Sequence, residues 1–171
     1  MTRTVAATAA VLVLGLGVSA SSASSSPTSS PTSAPAAVKH TPSAPDAALR
    51  TALRTQAATA YRQLARDSNA KIGVLQQRIQ HTTAVAEVQA GYREFAAIVI
   101  DDGRRLEAIV FPMEMRADVD RLKTALTRLA GACSVAAASP DPNAPEVQDT
   151  LNRAGDDGRD ATAAVQADLA N

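Results

Sequence analysis

Tryptophan is absent from this 171-residue chain, and two Tyr and two Phe are its only aromatic residues. A core so short of aromatics must be thin and built from Leu, Val, Ile and Ala, which suits closely approaching helices and suits strands badly. Cysteine occurs once, at Cys133, so no internal disulfide forms and stability comes from apolar contact alone. Histidine occurs twice, at His40 and His81, and neither sits in the Glu-x-x-His spacing of a di-iron bundle. So few histidines also exclude Ser-His-Asp and Cys-His nucleophilic arrangements. There is no Cys-x-x-Cys-His for haem and no glycine-rich phosphate loop. No cofactor is expected.

Neither sign of charge dominates. Lys plus Arg number 17 and Asp plus Glu number 17, and residues 46–171 carry fifteen basic against seventeen acidic groups. That balance argues against a nucleic-acid partner. The longest apolar run, Val5 to Ala20, is about 16 residues, short of the roughly 20 that span a bilayer.

What is present at the start reads as an export signal over residues 1–20. Arg3 supplies a basic start, the apolar run follows, and Val18-Ser19-Ala20 has the small-x-small spacing of a cleavage site. No cysteine follows the run, which excludes the usual bacterial lipid attachment. After cleavage no membrane span is expected, and the protein is secreted or held at the cell surface. Residues 21–45, almost all Ser, Thr, Pro and Ala, have too little apolar surface to offset the entropy of ordering and read as a disordered tether. Residues 46–171 make one domain. Alanine is abundant and Arg outnumbers Lys fourteen to three. In this bias and in its leader, the chain resembles the uncharacterised exported helical proteins of actinobacteria. The resemblance is one of composition and layout, and it brings no activity with it.

The domain's periodicity predicts an all-α, up-down-up-down four-helix bundle. Asp46 is placed to cap a first helix reaching about Gln80, with Leu49, Leu53, Ala57, Ala60, Leu64, Ile72, Leu75 and Ile79 on one face. Ser68 falls on that face, and Asp67-Ser68-Asn69 is expected to weaken it. Val85, Val88, Tyr92, Phe95, Val99, Asp102, Leu106 and Ile109 form an unbroken seam of threes and fours, interrupted only by the acid. Met115, Val119, Leu122, Leu126, Leu129, Cys133 and Ala136 form a third. After Pro140, Pro142 and Pro145, Asn143 is placed to cap a fourth helix, with a weak stripe of Val147, Leu151, Ala154, Gly158, Ala161, Val165 and Leu169.

"EAIVFPMEMRADV", residues 107–119, joins the second and third seams. On one straight helix these seams would point nearly opposite ways, so the chain must reverse. Pro112 suits the start of a new helix and drives Phe111 extended, which makes Phe111-Pro112 a corner. Val110 and Met115 stand at staple spacing across it. Residues 46–81 carry a charge of +4 and residues 141–171 carry −5, so the first and last helices are expected to face each other as complementary neighbours.

Asp102 is the candidate that most needs explaining, because a carboxylate on an apolar seam must be paired, protonated or displaced toward water. A tight hairpin about Phe111-Pro112 would bring Lys123 level with it, and a partly buried Asp102–Lys123 pair that fixes register is the leading expectation. Met113 and Met115 offer soft donors to Cu(I), although Met is a common core filler and core contact is preferred. "DDGR" occurs at 101–104 and again at 156–159, which is read as a chance match. Cys133 on the third seam is expected to be a free thiol behaving as a small hydrophobe.

The functional expectation is therefore a non-catalytic interaction or ligand-binding module with a protein or cell-surface partner. The alternatives are a metal-binding or enzymatic bundle using Asp102 and nearby acids, and an oligomerising surface protein whose apolar groove is filled by a partner or a second copy.

Overall fold

The computed structural model describes residues 44–171. The expected signal segment, His40 and the tether as far as residue 43 lie outside the described residues. Four helices follow one another: α1 Ala44–Ile79, α2 Val85–Glu107, α3 Arg116–Ala138 and α4 Pro145–Ala170. A 3-10 turn, Met113–Met115, leads into α3. There is no strand among the described residues, so the domain is all-α.

Side-chain contacts fix the direction of each helix. Arg78 on α1 reaches Glu94 on α2, while further back along α1 Asp67 meets Arg105 at 2.6 Å. Gln89 near the start of α2 donates to the Ser139 carbonyl just after α3, and Glu107 at the end of α2 meets Lys123 near the start of α3 at 3.7 Å. Arg128 pairs with Asp157 across α3 and α4 at 3.3 Å. Asp118 near the start of α3 lies close enough to Asp168 near the end of α4 to raise its carboxyl. Successive helices are thus antiparallel, as short connections demand.

The core runs through all four helices. Leu106, Met115, Leu122, Cys133, Ala136, Ala161 and Val165 are at most 1% exposed. α4 buries Leu151, Ala154, Gly155, Gly158, Ala161, Thr162 and Val165. Its stripe looks weak in sequence because it is short of large side chains. Small residues let the α3 and α4 axes come close, and contact with α3 replaces bulk with proximity. α1 is the helix least embedded: it lies mainly on α2 and meets α4 only lightly. Residues Asp46 to Ala52 are all exposed. Arg54 bonds Glu114 at 3.0 Å, level with the 3-10 turn, so the first residues of α1 run on past the end of the bundle.

The corner at Phe111-Pro112 stands where the sequence puts it. Pro112 is the residue that opens the 3-10 turn, with φ −54° and ψ 150°, and Met115 N–H donates to its carbonyl. Three local expectations are corrected. Val110 is 66% exposed and makes no staple over the buried Met115; Phe111 packs on the core instead. Asn143 does not cap α4. Its N–H donates to Asp141 Oδ1, Ala144 takes the cap position without a side-chain bond, and Pro145 fills the first turn, where its missing N–H costs nothing. The Asp67-Ser68-Asn69 stretch does not interrupt α1, which passes straight through it.

The expected complementarity of α1 with α4 is not the contact the charges make. The ion pairs of α1 run to α2 and the 3-10 turn, through Lys71–Asp101, Arg78–Glu94, Asp67–Arg105 and Arg54–Glu114. Those of α4 run to α3 and within itself, through Arg128–Asp157 and Arg159–Asp156. With α1 seated mainly on α2, the acids of α2 are nearer than those of α4.

Candidate functional site

Two features stand out, one inside the bundle and one on its surface. The first is built around Asp102. Its place on the α2 seam takes it into the interior, where it is 3% exposed. Its partner is not Lys123. Ser68 Oγ, fully buried on α1, donates to Asp102 Oδ2 at 2.5 Å, while Asp102 Oδ1 is buried without a hydrogen-bond partner. Lys123 instead meets Glu107 at 3.7 Å and Asp120 at 3.3 Å. The expected pair fails because the connection between α2 and α3 is wider than a pivot at Phe111-Pro112. Residues 108–112 and the 3-10 turn intervene, so Lys123 comes level with Glu107 rather than Asp102.

Two further oxygens lie in the same interior. Tyr61 on α1 and Thr162 on α4 are 3% and 4% exposed, and neither hydroxyl has a partner of good geometry, although the two side chains face each other closely enough to interact. Burial pushes the Tyr61 hydroxyl up to about 12, an effect the nearby Thr162 opposes and the Asp102 charge reinforces. Burial likewise raises the Asp102 carboxyl above the ordinary aspartate range, against the opposing influence of Ser68, Lys71 and Arg105. Three helices therefore contribute Tyr61, Ser68, Asp102 and Thr162 to a polar interior. Ser68 and Tyr61 occupy equivalent positions two turns apart on α1, a spacing visible in the sequence once Asp102 is known to face α1 rather than α3.

The second feature is an open groove of about 670 Å³ between α2 and α3. Val99, Leu126 and Ala130 line it but are buried, and Ile100 beside them is 46% exposed. Arg104 and Glu107 from α2 and Asp120 and Lys123 from α3 set mixed charge along it. Gly103 and Gly131 also line it, and a Cβ at either would meet nothing within 4 Å. The two glycines leave the groove unobstructed at their positions. A smaller hollow of about 270 Å³ at the corner shares Glu107, Asp120 and Lys123 and adds Phe111, Val110 and Arg116.

Other expected site residues fall apart in space. Met113 is 74% exposed and Met115 is fully buried, so the two sulfurs do not share a soft-metal site. Among the described residues no three His, Cys, Asp or Glu side chains are grouped as metal ligands. The two "DDGR" copies are not equivalent: Asp102 is buried, whereas its counterpart Asp157 is exposed and paired with Arg128. Cys133 is a buried free thiol, and burial pushes it up to about 12. His81 is exposed in the turn between α1 and α2. No described helix is long and apolar enough to cross a membrane.

Fold and features together define an all-α four-helix protein with a polar interior and an open lateral groove. Comparison with protein-family models, curated proteins and solved structures returns no match.

Proposed function

We propose that this is an exported, non-catalytic helical module that binds a protein partner at or outside the cell surface through the groove between α2 and α3. The groove is the observation that carries this reading. It combines exposed apolar surface at Ile100 with alternating charge from Arg104, Glu107, Asp120 and Lys123, a composition that suits a polypeptide segment of mixed charge. The export-type leader and the Ser/Thr/Pro/Ala segment support a position outside the cytoplasm, with the bundle carried on a tether.

The test is site-specific photocrosslinking in a secreting host. A crosslinking residue replaces Ile100 or Thr127 in the groove, and Gln77 or Ala163 on exposed positions elsewhere serves as control. Adducts to one partner peptide from both groove positions, absent from the controls, support the proposal. Equal labelling at all four positions, or none in the groove, sinks it. A second reading rests on the convergence of Ser68, Asp102, Tyr61 and Thr162, which favours a small-ligand or metal site inside the bundle. Native mass spectrometry that finds a retained mass, lost in Asp102→Asn, would bring that reading forward.

A further inference from the structure

α1 is attached to the bundle in a way the other helices are not. α2 with α3, and α3 with α4, make the extensive interfaces, and α1 rests mainly on α2. Along that contact the apolar surface is divided. Tyr61, Leu64 and Ala65 belong to the main core, whereas Ile72 and Leu75 join Ile98 in a small separate cluster. In the sequence of α1, Ser68 lies between the two sets, and its hydroxyl meets Asp102 of α2.

The surroundings of Asp102 hold charge only at the rim, and that charge is already engaged. Lys71 on α1 pairs with Asp101 on α2 at 3.2 Å, and Arg105 on α2 pairs with Asp67 on α1 at 2.6 Å. Among the buried side chains of α3 only the Cys133 thiol is ionisable, and the buried side chains of α4 include none. On the buried face of α1 the ionisable group is Tyr61. An ionised Asp102 would therefore have one hydroxyl bond, a second oxygen with no donor, and no cation in contact. A carboxylic acid in the same place leaves no charge to solvate.

We infer that Ser68 and Asp102 form a proton-dependent clasp between α1 and α2, closed while the carboxyl holds its proton and loosened when it ionises. The proton passes to solvent, and the carboxylate then gains by meeting water, which requires α1 to shift away from α2 near Ser68. The small cluster of Ile72, Leu75 and Ile98 opens with it. The raised value of Asp102 sets the direction. Folding takes up a proton, so the clasp contributes fully below the unfolded-state pKa and is lost as pH rises through the folded-state one. This device is independent of what the groove binds.

Hydrogen exchange by mass spectrometry between pH 4 and pH 8, corrected for intrinsic exchange, tests it on the mature chain. The amides of α1 from Ser68 to Ile79 should lose about tenfold protection relative to α3 across the Asp102 transition, and Asp102→Asn should abolish that pH dependence. Carbon-13 NMR of the Asp102 carboxyl gives the transition itself. It should lie above the ordinary aspartate range, and Ser68→Ala should move it higher by removing a bond that favours the ionised form. An Asp102 that titrates in the ordinary aspartate range, a Ser68→Ala variant with no shift, or α1 protection with the same pH dependence in Asp102→Asn would each overturn the clasp. Should Asp102→Asn fail to fold, the wild-type and Ser68→Ala titrations still decide.

Discussion

Ile79, the last residue of α1, closes over Gly91 of α2 so tightly that a Cβ at residue 91 would come within 2.7 Å of Ile79 Cγ2. The branched methyl cannot swing away as the end of a long side chain could. Two effects then oppose each other in Gly91→Ala: a gain in helix propensity of up to about 1 kcal/mol, and overpacking that costs about 1 to 3 kcal/mol. We expect the clash to win by about 1 kcal/mol in urea unfolding followed by circular dichroism. In an Ile79→Ala background the same change should become neutral or stabilising. Equal effects in both backgrounds would show that the two residues do not meet.

Glycines without such neighbours should behave oppositely. A Cβ at Gly73 or Gly103 meets nothing within 4 Å, and both sit inside helices. Gly73→Ala and Gly103→Ala should each stabilise by about 0.5 to 1 kcal/mol. They should differ in binding, because Gly103 lines the groove and Gly73 does not. If partner crosslinking from residue 100 survives Gly103→Ala undiminished, the groove floor is not where the partner sits.

Asp102→Asn should be more stable than the parent at neutral pH, by about 1 to 2 kcal/mol. The amide keeps the shape and can still bond Ser68, but never carries the charge. Since Asp102 has a folded-state value above its unfolded one, the parent is most favoured on the acid side, and the gap between the two proteins should widen as pH rises from about 4, near the unfolded-state value, toward neutrality. Parallel stability curves across that range would contradict the assignment.

Much of this arrangement was legible in advance. The α2 seam placed Asp102 in the interior, and the opposed directions of Leu106 and Met115 required the reversal at Phe111-Pro112. What failed were properties set between helices. Lys123 missed Asp102 because the width of a connection, not its proline, sets the register of a hairpin. Ser68 looked like a weak point in α1 because a polar residue on an apolar face gives no sign of the partner it will meet. The groove was invisible because it depends on how the surfaces of α2 and α3 meet, and α4 looked feeble because Gly158 and Ala161 contribute by closeness rather than size.

Cys133 gives a clean probe of global opening. It is 1% exposed, and its thiol is pushed up to about 12 by burial. The native protein should therefore resist thiol reagents at pH 8, with labelling that follows unfolding and not the loosening of α1. Rapid native labelling would mean that α3 itself opens. Cys133→Ser should cost about 1 to 3 kcal/mol, through a hydroxyl placed among apolar neighbours.

The projecting start of α1 also has a mechanical consequence. Everything that precedes the domain in sequence joins it through this helix, and roughly ten residues at 1.5 Å each hold that junction about 15 Å clear of the bundle's end. A pull applied from the N-terminal side is delivered along the axis of α1, parallel to its interface with α2. It would load the Ser68–Asp102 contact and the ion pairs beside it together, in shear, before reaching α3 or α4. The helix least embedded in the core is thus the one that would carry any load applied from the N-terminal side.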